Sequence, residues 1–252
     1  MVHYKAILAY DGNRFAGFQR QKKESGERTV QAVVEKALAR LGWQEKTILF
    51  AGRTDTGVHA IGQVISFGLD WKHSLIELKS ALNTNLPDDI AVRAIEHCED
   101  GFHPRYQALW RHYRYRIYYD EQRYPLFDRY AWRVWPIPDL DCMQKCSQLL
   151  LGEHDFGNFG KPSKFAGNTN RTVFLANWSI WSQDSIQGFS FDIKANAFLF
   201  HMVRRLVAYL VRVGQGYITR DEFEQVLLKK KAFSSYPLAP ARGLTLIEVK
   251  YS

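Results

Sequence analysis

The chain of 252 residues has room for one large or two ordinary domains, and at 46% hydrophobic residues it can bury a true core, which excludes intrinsic disorder. Its formal net charge of +8 favours polyanionic partners, nucleic acid above all. Charge interrupts every apolar stretch, so neither a membrane-spanning run nor an N-terminal signal pattern is expected, and the expectation is a soluble, cytoplasmic protein.

HYKAILAY (3–10) alternates and predicts a strand. Thr29 suits the N-cap of a helix whose apolar positions Val30, Val33, Val34, Ala37, Leu38 and Leu41 share one face, and Gly42 ends it. TILFA (47–51) is a short strand, AGRTDTGVHA (51–60) a tight turn and IGQVISF (61–67) another strand. SLIELKSALN (74–83) is helical with Leu75, Leu78 and Leu82 on one side, and IAVRAI (90–95) closes the set. The order β-α-β-β-α-β is that of the ferredoxin-like arrangement. HCEDGFHPRYQ (97–107) is the joint between halves, which places domain boundaries at 1–100 and 101–252.

The second half repeats the order with insertions. LWRHYRYRIYY (109–119) is a long strand and YAWRVW (130–135) an added one. Residues 140–151 read as a helix that stops at Gly152. RTVFLANWSIW (171–181) and GFSFDIKA (188–195) are successive strands, FLFHMVRRLVAYLVRV (198–213) is a strong helix ending at Gly214, Thr219 and Glu222 make a capping box, and LTLIEVKY (244–251) is the last strand. The fold class is therefore α+β: two ferredoxin-like halves with antiparallel sheets, helices on one face and an RNA cleft on the other. RRM proteins use the same layout to stack bases on strand aromatics.

Cys98, Cys142 and Cys146 form no CxxC pair, which argues against a disulfide framework or a zinc site. Cys142 and Cys146 lie one helical turn apart beside Met143, Leu149 and Leu150 and are expected in the core. The histidines show no metal-ligand spacing, and there is no Walker loop, GxGxxG or GxSxG, so neither a metal nor a nucleotide cofactor is expected.

Chemistry concentrates in the turn. Gly52 and Gly57 serve its geometry, but Arg53, Asp55 and His59 exceed what a connection needs. An Asx turn is the structural reading of Asp55. Against it stands Arg204. On the helix predicted from residue 198, its neighbours Phe200, Val207 and Val211 are apolar, so the guanidinium looks desolvated and in need of a carboxylate, whereas Arg205 looks solvent- or phosphate-facing. Snorkelling of Arg204 to the surface is the alternative. In the strand at 109–119, alternation puts Arg111, Tyr113, Tyr115 and Ile117 on one face. Tyr113 beside Arg111 can stack on a base or simply pack, and Arg114 and Arg116 can meet phosphates. The polar, Gly-rich loop GNFGKPSKFAGNTN offers Lys161 and Lys164 to phosphates.

GRTDTGVHA followed by GQVISF resembles the active-site signature of the tRNA pseudouridine synthase A family. YDGNRFAGFQRQ, RTVQAVVEKAL, NLPDDIAVR, FHPRYQALWRHYRYRI, DIKANAFLFHMVRRLV and GLTLIEVKY match as well, in the family's order and over nearly the whole chain. The resemblance implies a cofactor-free homodimer of two ferredoxin-like domains that isomerises uridine to pseudouridine in the anticodon stem-loop of tRNA, at about positions 38–40. It makes Asp55 the essential aspartate, Tyr113 the tyrosine at the target base, Arg204 the arginine that pairs with the aspartate, and Arg53 an arginine handling flipped RNA. His59, Arg111, Arg205 and Lys161 are expected to serve substrate binding. Departures are Thr56 for the family's Ala, Phe200 for His and Ala208 for Gly. Two other readings compete: a non-catalytic RNA-binding protein with two RRM-like halves, and another RNA-modifying activity such as methyl transfer, which lacks a cofactor turn.

Overall fold

The computed structural model describes residues 1–21, 27–162, 167–229, 231 and 236–252. Lys164, expected to meet phosphates, lies outside the described residues. The fold is α+β, with mostly antiparallel strands and, among the described residues, five α-helices. The chain divides into two compact units, Met1–Leu109 with Thr245–Ser252, and Trp110–Leu244.

In the first unit the strands are β1 (Val2–Tyr10), β2 (Leu49–Phe50), β3 (His59–Leu69), β4 (Ile90–His97) and β10 (Leu244–Lys250). β1 runs antiparallel between β3 and β4, β2 pairs with β3, and Thr245 and Leu246 of β10 pair in parallel with His59 and Ala60 of β3. The last strand, expected to complete the second half, thus belongs largely to the first unit. Gly62 makes the fit possible, because a Cβ there would lie 2.1 Å from the Ile247 carbonyl oxygen.

Helix α1 (Val30–Arg40) begins where Thr29 accepts from Ala32 N and ends before Gly42, whose φ of +92° only glycine adopts easily. Its buried face is not purely apolar. Gln31 and Glu35 are buried while Val33 is only half-buried. Glu35 is satisfied by Gln31 Nε2 (2.8 Å), Ile48 N (3.2 Å) and Arg20 Nη1 (2.9 Å), so a carboxylate takes a place that periodicity alone gives to a hydrocarbon. Helix α2 (Leu75–Asn85) opens on a capping box of Ser74 and Glu77 and buries Leu78 and Leu82, with Leu75 at the margin.

Arg28 grips Asp89 with two bonds of 2.7 Å while its guanidinium carbon lies 4.1 Å from the Phe15 ring centroid. These bonds hold the Asp89 carboxyl below its usual range against the opposing effect of partial burial. The group's folded pKa is depressed, so its stabilisation is present above the unfolded value near 3.8 and fades as pH falls through the lower folded value. Asp89→Asn should therefore lower the urea midpoint at pH 7 by an equivalent of about 1 kcal/mol, because the Arg28 side chain is more than a third exposed. The difference between variant and wild type should shrink as the pH falls below the unfolded value of 3.8.

In the second unit β5 (Trp110–Tyr119), β9 (Ile186–Ala195), β8 (Asn170–Gln183) and β7 (Gly152–Asp155) follow one another in space as an antiparallel set, and β6 (Trp132–Val134) pairs in parallel with β5. Helices α3 (Leu140–Gln148), α4 (Met202–Gly214) and α5 (Arg220–Leu227) complete it, the last opened by the Thr219–Glu222 capping box. Tyr115, Ile117, Phe191 and Ile193 from the strands and Leu206, Val207 and Leu210 from α4 are all fully buried. Cys146 joins the core, but Cys142 is exposed, so the paired-cysteine expectation holds for one residue only. Cys142 stands in the first turn of α3, where its backbone N is capped by Asp139.

Helix α4 starts four residues later than periodicity suggests. His201 takes a left-handed conformation at its N-cap (φ 64°), and Phe200 pairs instead with Lys161 through its backbone, N to carbonyl oxygen at 3.0 Å. Phe200 is therefore not a helical neighbour of Arg204. It is 57% exposed and its ring lies 3.6 Å from the His201 ring, centroid to centroid.

Candidate active site

In the first unit, residues 51–58 run from β2 into β3 and carry Asp55 half-buried between buried Thr54 and exposed Thr56. The turn is held from several directions. Tyr10 at the end of β1 and Thr54 share a hydroxyl–hydroxyl bond of 2.8 Å, and Phe18 N donates to the Thr54 carbonyl (3.0 Å). Val58 N donates to the Asp55 carbonyl (3.1 Å), and Gln63 Nε2 to the Gly52 carbonyl (2.8 Å). Gly12 N donates to His59 Nδ1 at 3.0 Å. That nitrogen also lies 3.2 Å from Asp11 Oδ1, but it cannot accept from an amide and donate to a carboxylate at once. A backbone N–H can only donate, so the ring is assigned neutral with its proton on Nε2.

Two glycines allow this packing. A Cβ on Gly12 would lie 2.1 Å from the Val58 carbonyl oxygen, and Gly17, at φ +90°, would place one 2.9 Å from the Thr54 carbonyl oxygen. Gly12→Ala should cost roughly 2–3 kcal/mol in urea unfolding. The variant should also lose activity in the fraction that remains folded, because Val58 cannot retreat without moving Asp55, three residues away.

Arg53 is exposed beside Asp55. His59, expected to help bind substrate, is only 6% exposed.

In the second unit, Tyr113 is 8% exposed on β5, opposite Ile193 of β9, with its ring edge-on to Phe198 at 5.1 Å. Arg111, two residues before it on the same face, is 9% exposed and donates through Nη1 to the Asn196 carbonyl (2.7 Å). On the opposite face Arg114 Nε reaches both oxygens of Asp192 (3.0 and 3.2 Å), and His112 Nε2 lies 2.6 Å from one of them. Burial alone raises the Asp192 pKa, and these partners outweigh it and bring the carboxyl below its usual range. Arg114 thus pairs with Asp192 through Nε while its side chain stays 38% exposed. Arg116 is exposed, with its guanidinium carbon 5.8 Å from the Trp181 ring centroid.

Arg204 and Arg205 occupy the first turn of α4, and both are half-buried, so the expected contrast between a desolvated and a solvent-facing arginine does not appear. The apolar wall expected from Phe200 is missing because that residue sits outside the helix. Arg204 Nε donates to the Ala239 carbonyl at 2.8 Å. Its positive charge also counters the burial that raises the Tyr115 phenol well above its ordinary pKa. The Tyr115 hydroxyl itself donates to the Pro240 carbonyl at 2.7 Å. Lys161 is exposed where its backbone meets Phe200.

The structure therefore gathers Arg53, Asp55 and His59 in one turn, and places Arg111 and Tyr113 together on one strand face and Arg204 with Arg205 on one helix end. Residues missed from sequence are those behind the turn: Tyr10, Gly12, Phe18 and Gln63. Their early signal was that YDGNRFAGFQRQ, which holds Tyr10, Gly12 and Phe18, and GQVISF, which holds Gln63, belong to the same family pattern as GRTDTGVHA. Among the described residues there is no group of three His, Cys, Asp or Glu placed to hold a metal ion, and no helix long and apolar enough to cross a membrane.

Comparison with known proteins gives a consistent picture. The family model for tRNA pseudouridine synthase matches residues 6–107 and 146–252. A tRNA pseudouridine synthase A of Streptococcus equi subsp. equi is 39% identical over 254 aligned positions, covering 100% of this chain and 99% of that protein. The proteins of the same name from Geobacter sulfurreducens (37% identical, 98% of each chain) and Thermoanaerobacter pseudethanolicus (36%, 100% of each) are nearly as similar. With matches that span both units, the chain belongs to the tRNA pseudouridine synthase family.

Proposed function

We propose that this protein isomerises uridine to pseudouridine in tRNA, in the anticodon stem-loop at about positions 38–40. The observation that carries the reading is the half-buried Asp55, held on a pinned turn of the sequence GRTDTGVHA, in a chain of this family. Membership of the family leaves the RRM-like binding protein and the methyl-transfer enzyme without support.

The reaction breaks the bond between C1′ and uracil N1, turns the base, and rejoins it through C5, which gives up its proton while N1 gains one. It involves neither net redox change nor hydrolysis. The stacked uridine is first extruded, and exposed Arg53 and Lys161, with half-buried Arg205, hold the flanking phosphates. Ionised Asp55 then acts either as a nucleophile or as a base on the sugar, with Arg204 as the cation that keeps it charged. Tyr113 lies against the uracil as it turns. Arg111 and His59 are nearly buried, so their part in substrate binding is exerted through the backbone they hold, near Tyr113 and Asp55 respectively.

The two units are read as two ferredoxin-like domains. Support comes from the order β4-β1-β3 with β2 beside β3 in the first, and β5-β9-β8 in the second, with helices between the strands in sequence. The protein is further read as a cytoplasmic homodimer. The decisive experiment incubates the protein with unmodified tRNA and maps carbodiimide-reactive positions by primer extension. New stops confined to the anticodon stem-loop are expected. Product elsewhere in the tRNA overturns the site assignment, and no product overturns the activity.

A further inference from the structure

Tyr10 ends β1 and is 5% exposed, enclosed by Phe15 and Phe18 at ring-centroid distances of 6.4 and 6.2 Å. A phenol in that setting must find a hydrogen-bond partner, since leaving a buried hydroxyl unpaired costs about 1–3 kcal/mol. Its hydroxyl meets that of Thr54, itself 7% exposed and immediately before Asp55, and the Gln63 side chain. Burial pushes the Tyr10 phenol up to about 12, so it stays protonated throughout the working pH range.

The bond spans 44 residues of sequence and ties the end of β1, a strand flanked by β3 and β4, to the residue next to Asp55. Thr54 is held a second time through its carbonyl by Phe18 N, and that segment is itself tied to α1, whose Gln31 N donates to the Phe18 carbonyl (2.9 Å). A threonine fixed at both its side chain and its carbonyl has little freedom to rotate, and the backbone entering Asp55 inherits that constraint. Gln63 shares the region: it is fully buried, its Nε2 holds Gly52, and its side chain also reaches the Tyr10 hydroxyl.

We propose that Tyr10 and Thr54 are positioning residues for the isomerisation, a buried hydroxyl clasp that sets the direction of the Asp55 carboxylate. The proposal rests on the reading of Asp55 as the reacting group. It assigns neither residue a contact with RNA. Effective catalysis requires the carboxylate in place before the base arrives, and a misplacement near 1 Å costs on the order of 100-fold in rate.

Thr54→Val keeps the shape and removes the hydroxyl. Thr54→Ser keeps the hydroxyl and removes the methyl. Tyr10→Phe removes the other partner. Single-turnover rates on unmodified tRNA should fall by roughly 10- to 100-fold for Thr54→Val and Tyr10→Phe, with tRNA Kd within about 2-fold of wild type. Thr54→Ser should stay within about 3-fold of wild type in rate, and the Tyr10→Phe/Thr54→Val double variant should be no slower than the slower single one. Hydrogen exchange in the free protein gives a readout that needs no catalysis: the amides of Phe18 and Val58 should exchange roughly 10-fold faster in Thr54→Val, while those of Ala6 and Leu8 in β1 are unchanged. An active wild type with unaltered rate in Thr54→Val, a Kd that rises in step with the rate loss, or additive losses in the double variant overturns the clasp. Selective loosening of the two amides together with a wild type that forms no pseudouridine preserves the clasp as a holder of the turn but overturns both the assigned reaction and the positioning role in it. Unchanged exchange at Phe18 and Val58 overturns the clasp whatever the activity.

Discussion

Asp55→Asn is expected to fold, bind tRNA within about 3-fold of wild type, and form pseudouridine at least about 10³-fold more slowly, the scale of losing a positioned base or nucleophile. The substitution keeps the side chain's shape and removes its charge. Three anchors of the turn do not involve the carboxylate: the Thr54 hydroxyl and carbonyl are taken by Tyr10 and Phe18, and the Asp55 carbonyl accepts from Val58. The turn should therefore survive, and binding should too, because affinity for tRNA comes mainly from cationic side chains meeting phosphates. Filter binding at two salt concentrations, with primer extension after carbodiimide labelling, checks both halves. Product at the wild-type level excludes Asp55 as the reacting group. Loss of binding in parallel with product would make its charge a matter of RNA recognition or folding instead.

What could be read in advance depended on how local the deciding physics is. Alternation in HYKAILAY, the shared side of Leu75, Leu78 and Leu82 and the capping box at Thr219 are contained within a few residues, and the structure has β1, α2 and α5 there. Strand β7 escaped notice because GEHD is short and wholly polar apart from its glycine, so no alternation marks it; its pairing with β8 defines it. The start of α4 was misread for the opposite reason. FLFHM continues a helical pattern of apolar residues, but Phe200 pairs with Lys161, and His201 turns left-handed to let the helix begin afterwards. Strand β10 was legible as a strand but not as a member of the first unit, because pairing with β3 is decided by partners almost two hundred residues away in sequence.

The site shows the same division. Arg53, Asp55 and His59 stand out because charge is unusual in a Gly-flanked turn. The groups that hold them do not, because Tyr10 and Gly12 look like the ordinary end of a strand and the turn after it. Their importance lies in bonds that span more than forty residues of sequence.

Arg204→Leu should damage both stability and turnover, and the two losses have separable causes. Arg204 Nε donates to the Ala239 carbonyl, and the adjacent Pro240 carbonyl takes the Tyr115 hydroxyl. Leucine deletes the first of these bonds and leaves a charged-donor hydrogen bond unmade, worth about 1–2 kcal/mol for a half-buried group. That loss should appear as a lower urea midpoint. The catalytic loss follows from the proposed role as counter-charge to Asp55: without a cation there the single-turnover rate should fall by roughly 100-fold. Arg204→Lys separates the two causes. It retains the charge while giving up the planar guanidinium that can donate from Nε and its terminal nitrogens in fixed directions. The lysine variant should keep most of the wild-type rate, while its unfolding midpoint falls toward that of the leucine variant. If both variants lose rate equally, geometry rather than charge is what Arg204 supplies. If neither loses rate, Arg204 is a structural residue of the second unit alone.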